Sequence, residues 1–250
     1  MFLYSSTNAL KSLDTLYPEF PSAERALIEN TFKTYFNEEI KFHFICFNYA
    51  RTLDKCLAIE SSLPNGIGRH RYGNAICRHT IGNIIHIHGT VDKNMVLGVN
   101  DESQIANPEL FSDDFFKHFL IKVESNRSYQ KNTDKSAHDL LDSSQIIYIY
   151  GMALGATDNL WWTRVANWLA RSDHHHVIIH CYDAPEPSAF SFQYQLFERD
   201  FRANFASHGN FNEKQQHVIM NRIHITKRNL FESIKNIANN PRLYNSDEAS

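Results

Sequence analysis

Short apolar segments alternate along this chain with segments whose apolar residues recur at helical spacing, and this alternation limits the possible folds more than any other feature. Strands are predicted at residues 42–47, 83–88, 145–150 and 177–182, where β-branched and aromatic side chains cluster in short runs. Amphipathic helices are predicted at 22–39, 158–171 and 189–205. Such alternation is typical of βαβ units. We therefore expect an α/β fold with a doubly wound, mostly parallel sheet and helices on both faces.

Other stretches complete this order of elements. They are a short helix at 50–59, a loop at 61–82, a helix at 111–123, a strand near 223–226 and a last helix at 230–238. Residues 124–139 are polar and aperiodic, which predicts a surface insertion. The length of 250 residues suits a single domain, which we place at 1–240, followed by a flexible tail at 241–250.

Charge and composition exclude several classes of protein. A net charge of −3 argues against a general binder of nucleic acids or of anionic membranes. The first residues do not resemble a signal peptide, and no run of 18 apolar residues occurs, so we expect a cytoplasmic protein without membrane contact. None of the four cysteines lies in a C-x-x-C pair, which predicts reduced thiols and no cysteine-ligated metal.

The residues that directly follow the predicted strands are the candidates for a functional site, since ligands of doubly wound sheets bind at the carboxyl ends of the strands. Asn48 follows the first strand and could either cap the next helix or face a ligand. His86 and His88 alternate along the second strand and should share one face, and Gly89 ends it. A histidine here suits a general base, although a hydrogen-bonded structural role or a pair of metal ligands fits the same pattern.

The third strand is followed by a turn with two glycines, residues 151–158, that ends at Asp158. Free backbone N–H groups in such a turn can hold an anion. An ordinary βα turn in which Asp158 caps the helix is the alternative. The G-x-x-x-G spacing differs from the dinucleotide fingerprint.

Three blocks in this order resemble the AbiH family of bacterial phage-resistance proteins. The blocks read F-N-Y-x-x-T-L-D from Phe47, I-I-H-I-H-G from Ile84 with V-L-G-V-N-D soon after, and I-Y-I-Y-G-M-A-L-G-A-T-D-N-L-W-W from Ile147. The resemblance covers roughly residues 42–170. It implies a role in abortive infection, in which an infected bacterium stops growing before the phage matures.

The same order resembles the more distant sirtuin-like, or DHS-like, folds that bind NAD. That resemblance implies a sirtuin-like Rossmann variant in which Asn48 and His88 are the catalytic pair. It implies NAD as the bound nucleotide and an activity of the NAD glycohydrolase type, with an oxocarbenium-like transition state. The residues that it places against the dinucleotide are Asn48, Tyr49, Gly89, Gly151, Leu154, Gly155 and Asp158.

Two departures from the family pattern leave alternatives open. Met152 and Ala153 stand where the family has His-Ser, and no glycine precedes Gly66, so the first glycine-rich βα unit is missing. The chain is then either an N-terminally truncated form or one that has lost this site, and the sheet should have a vacant strand position. The second hypothesis is a non-catalytic sensor or interaction module, and the third is a metal-dependent hydrolase using His86 and His88. Expected partners are a small nucleotide, further copies of the chain, or a phage-derived trigger.

Overall fold

The computed structural model describes most of the chain between Phe20 and Lys227. The described residues are 20, 22–34, 39–61, 69–72, 75–99, 102–107, 109, 114–122, 124–125, 132–155, 158–186 and 192–227. The helix predicted at 230–238 and the tail at 241–250 lie outside them.

Helices and strands alternate along most of this part of the chain. In order, the elements are α1 (Ser22–Thr34), β1 (Glu39–Cys46), α2 (Thr52–Ser61), β2 (Arg69–Tyr72), β3 (Ala75–His86), a 3-10 turn (Glu102–Gln104), α3 (Asp114–Leu120), α4 (Thr133–Ser143), β4 (Ile146–Ile149), α5 (Asn159–Leu169), β5 (His176–His180), α6 (Phe192–Ser207), α7 (Glu213–Met220) and β6 (Ile223–Thr226). The predicted α/β class is confirmed.

The described strands form two three-stranded sheets. The first has the order β1-β3-β2, in which β1 and β3 are parallel and β2 pairs antiparallel with β3. The second has the order β4-β5-β6 and is parallel throughout. Pairing among the described strands is therefore mostly parallel, as the alternation predicted.

Alternate side chains of the second sheet face different helices. Ile149 and Ile179 pack with α5, whose Trp162 and Trp168 are almost fully buried in the main core. Tyr148 and Ile178 point the other way and pack against Phe20 and Ile28 at the start of the described chain. This is the two-residue period of a strand, and it places helices on both faces of this sheet.

Two predicted segments differ from the structure. The loop prediction at 61–82 is wrong for residues 69–72 and 75–82, because β2 and the first part of β3 pair there, with Tyr72 opposite Ala75. A loop was predicted here because the segment lacks an apolar run. Backbone hydrogen bonds between β2 and β3 hold the ladder together without such a run. Residues 133–139 of the predicted polar insertion belong to α4, whose Ala137 and Leu141 lie four residues apart and are buried.

Two further observations concern the cysteines and the length of apolar helices. Cys46 and Cys181 are buried free thiols, and burial raises the pKa of both. None of the helices in the described ranges has the length and apolar character that crossing a bilayer requires.

Candidate functional site

The segments that follow β1 and β3 leave the first sheet side by side. The two strands are parallel neighbours, with Cys46 opposite His86, and Ile87 N donates a hydrogen bond to Cys46 O at 3.0 Å. A few residues later, Val91 N donates to Tyr49 O, also at 3.0 Å. The structure thus brings Asn48 and Tyr49 to the same end of the sheet as His88 and Gly89.

His88 is buried in this region, with 7% of its surface exposed. Its ring lies edge-on to Phe47, with 5.6 Å between centroids, and 6.2 Å from the ring of Tyr49. Burial, together with the positive charge of Lys122, lowers the pKa of His88 to about 4, so the imidazole is neutral at pH 7. Its Nδ1 atom is buried and has no hydrogen-bond partner among the described residues. A buried nitrogen of this kind suits a site that a ligand completes.

Asn48 lies at the exposed rim of the site. Its Oδ1 accepts a hydrogen bond from Ala50 N at 3.0 Å, which stabilises the turn between β1 and α2. Its backbone oxygen lies 3.3 Å from Nδ1 of His86. The Asn48 side chain therefore closes a local turn that precedes α2, which begins only at Thr52.

His86 has partners on both sides of its ring. Nε2 lies 2.8 Å from Oδ2 of Asp54 in the first turn of α2, while Nδ1 faces the carbonyl of Asn48. Both contacts are hydrogen bonds at once only when the ring carries two protons. His86 therefore ties β3 to α2 and to the end of β1. Asp54 was not among the predicted site residues, although it is the last residue of the F-N-Y-x-x-T-L-D block.

Lys122 is the second residue of this site that the sequence did not single out. It is half-buried just after α3 and is fixed by its backbone N–H, which donates to Val99 O at 2.9 Å. Burial lowers the pKa of Lys122, while the negative charge of Asp158 acts in the opposite direction. The positive charge of Lys122 in turn helps to lower the pKa of His88. A lone lysine on a predicted helix carries no local signal for such a role.

The glycine turn, residues 151–155, precedes α5, and an aromatic contact joins the start of α5 to the end of β1. Gly151 has a φ of +65° and lies in open space. Asp158 N donates to Gly155 O at 3.3 Å, and Asp158 makes no side-chain cap bond to the helix it precedes. Leu154 packs against the main core. Trp161, in the first turn of α5, lies edge-on to Phe47 with 5.0 Å between centroids.

A tight loop folds back on His88 from the other side. Gly89 has a φ of +72°, and a side chain there would collide with the backbone oxygen of Asn94. Val96 N donates to His88 O at 2.8 Å, and the Tyr49 hydroxyl donates to Val96 O at 3.1 Å. The loop thereby fixes the backbone on both sides of the buried imidazole.

Comparison with known proteins gives one family. The sequence model described as "Bacteriophage abortive infection AbiH" matches residues 11–180, which is 170 of the 250 residues. No curated protein sequence and no solved structure gives a significant match.

Proposed function

The chain belongs to the AbiH family of bacteriophage abortive infection proteins, and from this premise we propose that it acts in phage defence by cleaving NAD at the carboxyl ends of β1 and β3. The observation that carries the proposal is the neutral, buried imidazole of His88, whose Nδ1 has no partner among the described residues. It lies beside the rings of Phe47 and Tyr49, at the end of the first sheet where Asn48 and Gly89 also lie.

The residues around His88 suit a nucleotide with charged phosphates and flat rings. Lys122 supplies a half-buried cation, which attracts phosphate more strongly than a cation in open water would. Phe47 and Tyr49 offer aromatic faces against which a nicotinamide or an adenine ring can pack. The bond between Asn48 Oδ1 and Ala50 N holds the carboxamide, so its NH₂ group is the end that can donate to a ribose oxygen.

In the proposed reaction, His88 acts as the general base. Its Nδ1 takes the proton of the attacking water as the water oxygen bonds to C1′ of the ribose. The bond between C1′ and the nicotinamide nitrogen breaks, and nicotinamide leaves with the bonding electron pair. A neutral imidazole is ready for this step at pH 7, because no proton has to leave it first.

Purified protein incubated with NAD tests the proposal, with the release of nicotinamide as the readout. His88→Asn is the sharpest variant because asparagine keeps a hydrogen-bonding group near the place of Nδ1 but accepts no proton. We expect turnover to fall by about two to four orders of magnitude, with phage protection lost in parallel. His217→Ala, an exposed histidine on α7, is the matched control.

The melting temperature must be measured for each variant, because His88 is buried and contributes packing. His86→Ala is unsuitable as a control, since it would break the contact with Asp54. If His88→Asn protects cells as well as the parent does, and neither consumes NAD, then the enzymatic proposal is wrong.

A non-catalytic sensor or interaction module is the second candidate. It is favoured by Met152 and Leu154, which pack against the core instead of offering polar groups to a ligand. If this candidate is right, calorimetry should detect no NAD turnover. Phage protection should then occur while the cellular NAD pool stays unchanged. Sustained NAD loss in protected cells, absent with His88→Asn, would exclude it.

A further inference from the structure

Helix α3 and the residue that directly follows it carry apolar side chains on the inner and on the outer side. Ile121, just after the helix, is buried and pairs with Val99 in an isolated bridge. The side chains of Phe115, Phe116 and Phe119 are 62%, 41% and 54% exposed. A surface helix normally turns polar residues outward, so an apolar outer side is typical of a helix that another molecule covers.

The loop after β3 adds apolar side chains next to this helix. Val99 N donates a hydrogen bond to Leu120 O at 2.8 Å, so the end of the loop runs along the last turn of α3. Met95 and Leu97, earlier in the same loop, are also exposed. Together with the three phenylalanine rings, these two side chains make up one surface, the aromatic patch.

The apolar area of the aromatic patch is close to what a stable dimer needs. A phenylalanine side chain has an area of about 200 Å², so the exposed parts of the three rings offer about 300 Å². Met95 and Leu97 raise this area to about 400 Å². A homodimer interface of standard size buries about 800 Å² on each partner, of which about 500 Å² is apolar.

The charges beside the aromatic patch favour a second copy of the chain over a membrane. Lys117 on α3 pairs with Glu102 at 3.2 Å, and the exposed loop residues Asp92 and Lys93 follow each other in the sequence. Each of these two lysines thus has an anion next to it, whereas anionic membranes attract clusters of lysine and arginine. A rim of mixed sign can face an identical rim across a two-fold axis.

We propose that the aromatic patch is the interface of a two-fold symmetric dimer, in which the patch of one copy packs against the same patch of the other. Phenylalanine rings suit this contact because they pack edge-to-face with rings of their own kind. The dimer buries the outer side of α3 and covers the loop in which Val96 N donates to His88 O at 2.8 Å. Dimer formation therefore also stabilises the backbone beside His88.

Sedimentation equilibrium of the whole chain over a range of concentrations tests the proposal. We expect the parent to show a monomer–dimer equilibrium. Phe119→Asp should raise the dissociation constant at least about tenfold, because it places a charge in the centre of an apolar interface. Phe192→Asp is the matched control, since Phe192 is 70% exposed at the start of α6, outside the aromatic patch, and it should leave the dissociation constant unchanged.

Leu97→Asp keeps the test decisive if Phe119→Asp folds poorly, because Leu97 lies in a loop and is exposed. It should weaken the dimer in the same way, with a melting temperature close to that of the parent at a concentration where both are monomers.

A parent chain that stays monomeric at all concentrations overturns the proposal. A dimer that Phe119→Asp and Phe192→Asp weaken alike, or that neither weakens, also overturns it. A monomer that co-sediments with vesicles of phosphatidylcholine and phosphatidylglycerol does so too, because a membrane would then cover the patch. NAD turnover enters none of these readouts, so the inference stands or falls separately from the proposed activity.

Discussion

At the scale of single residues, Gly89 and Gly151 both adopt a positive φ but differ in their surroundings. Gly89→Ala places a side chain against the backbone of Asn94 in a left-handed conformation, so the loop beside His88 must move. Gly151→Ala meets open space and bears only the conformational cost of about 1–2 kcal/mol. In urea unfolding, we expect Gly89→Ala to lose clearly more stability than Gly151→Ala. Equal losses would show that the loop yields easily.

His88 allows a direct test of its protonation state. Burial, together with the charge of Lys122, lowers its pKa to about 4, so its NMR signals should stay those of neutral imidazole from pH 8 down to about pH 5. Lys122→Gln removes the nearby positive charge and should raise this pKa, although burial still holds it below the ordinary value. A His88 signal that titrates near pH 6.5 would contradict the buried geometry.

His86 and His88, at the end of β3, show what the sequence pattern could not predict about single residues. Strand alternation predicted that His86 and His88 share a face, but β3 ends at His86 and the chain turns at residues 87–88. His86 therefore reaches Asp54 while His88 packs against Phe47. The sequence predicted that Asn48 and His88 follow neighbouring strands. It carried no signal for Lys122, because that contact depends on how α3 packs.

At the scale of elements, the attachment of α1 depends on a charged network. Glu24 lies 2.7 Å from Nδ1 of His224 and 2.8 Å from Arg202, and His224 in turn lies 3.0 Å from His176. Burial acts to raise the pKa of Glu24, but the hydrogen bond and charge of His224, together with Arg202, outweigh it and hold this pKa below its ordinary value. The network joins α1 to β5, β6 and α6.

Glu24→Ala should weaken this attachment strongly, because it leaves buried partners without their anion. Breaking a buried pair costs on the order of 3 kcal/mol, and we expect a loss of this size in urea unfolding. Glu29→Ala, an exposed position on the same helix, should change stability by less than about 0.5 kcal/mol. If the two variants unfold alike, the network contributes little to docking of α1.

Elements with a strong apolar pattern were predictable. Elements that depend on helix capping or on pairing with another strand were not. The buried strands β1, β4, β5 and β6 lie within a few residues of their predicted positions. The helix α7 was not predicted, although Asn212 and Gln215 form the capping box that begins it. The strand β2 was missed because its four residues, Arg-His-Arg-Tyr, lack an apolar run, and it depends on pairing with β3.

At the scale of the whole molecule, the grouping of the described strands into two sets of three could not be predicted, since it depends on which strands pair across long sequence separations. Alternation of strands and helices specifies the class of fold but not the neighbour of each edge.

The whole molecule should lose stability as the pH falls from about 7 to 4. Burial, with the charges of His224 and Arg222, lowers the pKa of His176 to about 3, and that of His88 is about 4. Between these values and about 6.5, the unfolded chain binds protons that the folded chain does not, so the free energy of unfolding decreases as pH decreases. The lowered pKa of Glu24 acts in the same direction below about pH 4.5.

Urea unfolding at a series of pH values measures this slope. Each such buried histidine contributes at most about 1.4 kcal/mol per pH unit between its two pKa values. His88→Asn should therefore reduce the slope between pH 6 and 5 by up to one proton equivalent, and His176→Asn should do the same. His217→Ala should leave it unchanged, because that side chain is exposed. If the slopes of all four proteins coincide, protonation of buried histidines does not govern the acid sensitivity of the fold.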